Sequence, residues 1–179
     1  GIIIQYDKNG NKLNGDCIGD VRITSFNEVV ELDDGDVMVM GHTNSRLGFE
    51  IDNSYLKQIL LRYNNNCEKK WIKAYDNGSQ EFPEAMIKTS KGEFFTVACN
   101  NKYNYSRISK YDENGVQIWT KNFGDHYSNH SFKSIYELKN GNILVVGSTN
   151  RSGFGVEIEE GINTNIGILV EYDTNGNII

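Results

Sequence analysis

Several things are scarce in this sequence, and each scarcity removes a class of protein. No apolar run approaches the roughly 18 residues of a membrane span, which excludes helical membrane insertion. The opening residues, GIII followed by QYDKNG, lack the basic and cleavage regions of a signal peptide, so any targeting signal lies outside this chain. Lys and Arg are not clustered, and the net charge of −6 with a pI near 5.1 argues against a surface that tracks phosphates, hence against nucleic acid. The cysteines number three, Cys17, Cys67 and Cys99. They are odd in number, unevenly spaced and without a CxxC pair, which leaves neither a disulfide framework nor a zinc site, only small and partly buried thiols. There is no Gly-x-Ser-x-Gly, phosphate-binding glycine loop, His-Glu-x-x-His or dinucleotide fingerprint. Proline occurs once in 179 residues.

What is abundant points the other way. Against the single proline stand 18 glycines and 23 asparagines, the residues that tolerate positive φ, and so the chain should contain many short turns and many strands. Hydrophobic residues make up 38% and aromatics 11%, a composition that folds. The wealth of Asn, Lys, Ile and Tyr, all with AT-rich codons, suggests an AT-rich bacterial source.

The sequence also repeats. Leu32–Asn44 (LDDGDVMVMGHTN), Thr89–Asn101 (TSKGEFFTVACNN) and Leu138–Asn150 (LKNGNILVVGSTN) share one register: a turn, an apolar run, then a polar segment ending in Asn. The turn glycines Gly35, Gly92 and Gly141 recur at intervals of 57 and 49 residues, and Tyr6, Tyr63, Tyr111 and Tyr172 at 57, 48 and 61. A unit of this size lies at the upper end of the periods of propellers and other arrays. Each unit reads as four strand-like pieces, short β-branched or aliphatic runs bounded by Gly and Asn. The fourth carries Trp eight residues after the tyrosine, at Trp71 and Trp119. The expected units are 1–17 (partial), 21–76, 82–124 and 131–179 (partial), within one repeat region spanning 1–179.

The order DG, apolar strand, G-x-T-N, variable loop, Y-D-x-N-G and W-x-K-x-F/Y-G resembles the repeat of bacterial cell-surface and secreted proteins that form β-propellers. The resemblance covers nearly the whole chain. It implies an all-β, extracellular and mostly non-catalytic scaffold. Three departures stand out: Cys67 replaces a turn glycine, Ala98–Cys99 replaces Gly-x-Thr, and Asn14 holds the first expected Trp position. The fold expected is a partial β-propeller of about three four-stranded antiparallel blades cut from a longer propeller, since propellers close with four to eight blades. Open blade faces predict self-association.

In such blades the turns alternate between two rims. One carries the tight DDG, SKG, KNG and YDxNG turns; the other carries the second-to-third-strand and blade-to-blade connections, which vary and therefore form the candidate site for a protein or glycan ligand. That site comprises Arg46, Phe49, Glu50, Asp52 and Tyr55, then Tyr103, then Arg151, Phe154 and Glu157, with His126 and His130 in a blade-to-blade loop. Two readings compete: the rings hold a ligand, or they pack beneath long loops. The two tryptophans read as packing between blades.

Metal and cofactor readings are weaker. His126 and His130, beside Asp125, lack the three or four convergent ligands and the rigid frame of a zinc site and read as surface histidines. Asp33, Asp34 and Asp36, and Glu157, Glu159 and Glu160, are acidic enough for calcium but lack the twelve-residue loop pattern. No cofactor is expected. The YDxNG stretches read as hairpin turns, with Asn66 taking the left-handed conformation where YNNNC lacks its glycine. The alternative functions are part of a propeller-fold glycosidase or lyase, whose paired acids about 5–10 Å apart can come from distant loops, or a calcium-binding repeat protein.

Overall fold

A computed structural model describes residues 1–47, 55–76, 78, 80–100, 103–124, 129–150 and 164–179. Among these residues there are thirteen strands, in four antiparallel sheets, and no helix. The all-β expectation holds. The chain divides into two compact units, Gly1–Phe82 and Pro83–Ile179.

In the first unit, β1 (Ile2–Tyr6) and β2 (Lys12–Cys17) form a hairpin, and β3 (Thr24–Glu31), β4 (Val37–Thr43), β5 (Lys57–Tyr63) and β6 (Lys69–Tyr75) form a four-stranded sheet in chain order. One face of that sheet, with Val39, Ile59, Leu61 and Tyr63 at its centre, packs with Ile3 and Ile18 of the hairpin segment. The N-terminal amine ties the hairpin down by donating to the carbonyls of Ile18 and Thr24. Strand alternation sorts the hairpin's faces: Ile3 and Gln5 are half-buried, while Ile2, Ile4 and Tyr6 are exposed.

In the second unit, β7 (Phe82–Lys88), β8 (Phe94–Asn100), β9 (Tyr105–Tyr111) and β10 (Gln117–Phe123) form one sheet, and β11 (His130–Glu137), β12 (Ile143–Thr149) and β13 (Ile166–Tyr172) another. The third strand of the last sheet is followed only by a bridge, Tyr172 to Ile178. Phe95, Val97 and Ile108 of the first of these sheets pack on Phe132, Ile135, Val145, Ile168, Val170 and Tyr172 of the second, with Ala85, Ile87 and Trp119 at the margin. Burying a Val, Leu, Ile or Phe side chain contributes roughly 1.5–3 kcal/mol, so this two-sheet core is the main stabilising feature of the unit.

The strand registers share one irregularity. A bulge falls at one place in three third-to-fourth-strand hairpins: Tyr6 faces Lys12 and Gln5 faces Asn14; Tyr63 faces Lys69 and Arg62 faces Trp71; Tyr111 faces Gln117 and Lys110 faces Trp119. Asn14 therefore occupies the tryptophan position.

Candidate functional site

Antiparallel order puts the first-to-second and third-to-fourth turns at one end of each sheet, and the second-to-third connection at the other. The tight end is built from a single turn. In Asp7–Asn11 the Gly10 amide donates to the Asp7 carbonyl and the Asp7 amide to the Asn11 carbonyl. The same two bonds recur at Asn64–Glu68, Asp112–Val116 and Asp173–Asn177, and at Leu32–Asp36, Thr89–Glu93 and Leu138–Asn142. This is a type I turn closed by a residue at positive φ, the usual three-residue hairpin loop. Where YNNNC lacks glycine, the left-handed residue is Cys67, at φ 59°, and not the expected Asn66. The geometry requires positive φ at the fourth residue of the turn, whatever side chain stands there.

The acids of these turns are engaged by the turns themselves. Asp7 accepts from the amides of Asn9 and Asn11 and from the Asn11 side chain, and Asp173 repeats the pattern with Asn175 and Asn177. The Asn11 side chain first, then the backbone amides, holds the Asp7 carboxyl below its ordinary pKa. Asp36, considered for calcium, is buried, and its Oδ2 accepts from Arg62 Nε at 2.6 Å and Lys70 Nζ at 2.5 Å. Burial alone would raise its pKa; the Lys70 and Arg62 bonds outweigh it and hold the carboxyl low. Asp34 pairs with the same guanidinium. The corresponding pair in the next unit is Lys110 with Glu93 at 2.8 Å, and in the last Asn142 with Glu171 at 2.6 Å.

The G-x-T-N segments are likewise structural. A side chain at Gly41 or Gly147 would lie 2.1 Å from the carbonyl oxygen of Ser25 or Ser131, so the close strand approach admits only glycine. Thr43, fully buried, shares a hydrogen bond with Thr24, and Asn44 exchanges two bonds with Ile23. Thr149 pairs with His130 and Asn150 with Asn129 in the same manner.

Of the candidate binding residues, Phe49, Glu50, Asp52, His126, Arg151, Phe154 and Glu157 lie outside the described residues, as do Asp125, Glu159 and Glu160. Arg46 and Tyr55 stand at the second-to-third connection of the first unit, Arg46 exposed and Tyr55 half-buried. Tyr103, in the corresponding connection of the second unit, lies parallel to Tyr105 with centroids 6.3 Å apart, and its amide donates to Asn100. His130 is not a surface residue. It is 7% exposed, meets Phe123 edge-on, and its Nδ1 is 2.9 Å from Thr149 Oγ1. The ring fills the space that a side chain at Gly124 would need, making His130 a tie between strands like Thr24.

A buried polar group escaped sequence reasoning. Arg107, 6% exposed, donates to Asn122 at 2.9 Å and to the Tyr105 hydroxyl at 3.0 Å, with its guanidinium 5.3 Å from the Tyr105 ring. Burial lowers its pKa to about 10. The available signal was register: Arg107 and Ser109 hold the places of Ile59 and Leu61 and of Ile168 and Val170.

No protein-family model matches the sequence, and no curated protein matches it significantly. Fold and site chemistry therefore rest on the chain's own geometry, that of an all-β protein.

Proposed function

We propose that the chain is a run of β-propeller-type blades from a bacterial cell-surface or secreted protein, acting as a non-catalytic scaffold that binds a protein or glycan through its second-to-third-strand connections. The observation that carries this reading is a contrast between the two ends of the sheets. Seven turns at one end share one geometry, whereas the connections at the other span 13 residues between Thr43 and Lys57, four between Asn100 and Tyr105, and 16 between Thr149 and Ile166. Variable loops on a fixed scaffold are where recognition usually resides. Arg46, Tyr55 and Tyr103, with the aromatic and acidic residues of the two longer loops, supply rings, charges and amides suited to a sugar or peptide.

The test is a screen of the whole chain on glycan and peptide arrays, followed by calorimetry on any hit. Tyr103→Ala and Arg46→Ala should weaken binding while leaving the thermal midpoint unchanged. No binding to either array, or weakening that simply follows loss of stability, would defeat the binding-module reading.

A further inference from the structure

One patch of the sheet β7–β10 departs from its counterpart in the first unit, and every departure converges on a single ring. In the sheet β3–β6, at the end that carries the second-to-third connection, Thr43 faces Lys57 and Ile59 faces Ala74. Ile59 and Ala74 belong to the apolar core there. Counting back from Tyr111 and on from Trp119, the same four places in the sheet β7–β10 are held by Asn100 facing Tyr105 and Arg107 facing Asn122. Asn100, Tyr105 and Arg107 are buried. A buried guanidinium rarely stabilises more than well-packed apolar residues in its place would. The polar replacements form an unbroken chain of hydrogen bonds. Arg107 donates from Nε to Asn122 at 2.9 Å and from Nη2 to the Tyr105 hydroxyl at 3.0 Å. That hydroxyl also accepts from Asn100 Nδ2 at 3.3 Å, and Asn100 Oδ1 accepts from the Tyr103 backbone amide at 2.9 Å. The chain ends on Tyr103, whose half-buried ring lies parallel to the buried Tyr105 ring, with 6° between their planes. Asn104, at φ 53°, closes the short connection in the left-handed region. Local rules broken at a cost in stability are expected at functional sites.

We infer that Tyr103 is the platform on which a carbohydrate ring stacks, and that Arg107 is a positioning residue holding that platform flat through Tyr105 and Asn100. The inference rests on the binding-module reading above and names its ligand class. A ring pinned at its own amide and laid on a second ring has little freedom left to lose, so it is preorganised for stacking. A β-linked glucose or galactose unit presents a patch of C–H groups that fits such an aromatic plane, while its hydroxyls bond at the edge. Among the described residues of the connection, Tyr103 and Asn104 offer a hydroxyl and an amide and no charge, which matches a neutral, hydroxyl-rich ligand. Arg107 stays behind the platform and acts only through its neighbours.

Calorimetric titration of the whole chain with cellohexaose, with a β-1,4-linked galactohexaose and with a decaproline peptide separates the ligand classes. One of the sugars should bind and the peptide should not. Tyr103→Ala should weaken that binding up to about tenfold, whereas Tyr103→Trp should keep it and show a blue shift in emission when the sugar is added. Arg107→Ile combined with Asn122→Ala installs the first unit's residues. It should weaken sugar binding about two- to tenfold while the thermal midpoint holds or rises. Tyr105→Phe, which deletes only the hydroxyl between Arg107 and Asn100, should weaken binding by a similar factor and serves if the paired variant fails to fold. Sugar binding that both variants leave unchanged, or that falls only in step with the thermal midpoint, overturns the proposal. Binding of decaproline in place of the sugars overturns the carbohydrate class and leaves the binding-module reading standing. No heat with any of the three probes also overturns the proposal, while the array screen alone decides the wider reading.

Discussion

The first hairpin against its sheet, and the middle sheet against the last, are two copies of one junction, and they solve it with different residues. In the second unit the Trp119 indole meets Phe95 edge-on at 5.6 Å, donates to the Thr174 carbonyl and lies over Gly176. A Cβ at Gly176 would stand 3.0 Å from that ring. In the first unit the Trp position is Asn14, which bonds Gln5, and the glycine position is Cys67, which lines a cleft with Ile3, Ile4 and Gln5. The two departures from the repeat are therefore one exchange. A turn that carries a side chain needs a small partner on the facing strand, and a tryptophan there needs a bare turn. What the comparison teaches is that the junction selects a pair of residues, not a residue.

Trp119→Ala should have the largest effect. It removes a half-buried indole, its ring contact and a hydrogen bond, and should cost about 2–4 kcal/mol, while Asn14→Ala should cost less than about 1 kcal/mol. Chemical denaturation of each variant measures the difference, and equal costs would refute the asymmetry between the junctions. Gly176→Cys, which gives the second junction the turn of the first, should destabilise by about 2 kcal/mol through the clash and the left-handed φ of 82°. The paired change Trp119→Asn with Gly176→Cys should cost less than the two singles combined, by about 1 kcal/mol or more, in a double-mutant cycle. Additive costs would show that the exchange is a coincidence.

The polar pairs beside the tight turns differ in the same instructive way. Asp36–Arg62–Lys70, Glu93–Lys110 and Asn142–Glu171 hold corresponding places with different chemistry. Asp36→Asn leaves Arg62 and Lys70 without their buried acceptor and should cost about 1–2 kcal/mol at neutral pH. The folded-state pKa of Asp36 is depressed, so its contribution is fully present above the ordinary carboxylate pKa of about 3.9 and is lost as pH falls through the lower folded value. The gap in thermal midpoint between wild type and Asp36→Asn should therefore close below about pH 4. A gap that persists in acid would mean that packing, not charge, is what Asp36 supplies.

Much of this was legible in the sequence, and the reasons are physical. The turn motif sets its own hydrogen bonds within five residues, so YDENG and its relatives declare a hairpin without any tertiary context. Short β-branched or aliphatic runs bounded by Gly and Asn, with the recurring tyrosine and tryptophan, marked out the strands. Features that depend on a facing sheet were hidden. His130 read as a surface residue because nothing local announces Thr149, 19 positions away, or the bare backbone of Gly124. Arg107 was passed over because a cation on a strand ordinarily faces water; here Asn122 and Tyr105 satisfy it in the interior. Of the candidate binding residues only Arg46, Tyr55, Tyr103 and His130 lie among the described residues, and of these His130 is the one whose burial the sequence hid.

The smallest expected effect refines the comparison from the other side. Cys67 holds φ 59° at a position where the other third-to-fourth turns have glycine, at 69° to 83°. A side chain in the left-handed region costs about 1–2 kcal/mol, and glycine returns part of that through its greater freedom in the unfolded chain. Cys67→Gly should accordingly stabilise the chain by about 0.5–1 kcal/mol, read as a small upward shift in the denaturation midpoint. If Asn14 and Cys67 were selected together, the gain should vanish or reverse only when the cysteine fills space that nothing else occupies. Its lining of the cleft with Ile4 and Gln5 makes that the competing term, and the sign of the shift decides whether backbone strain or side-chain packing governs the first junction.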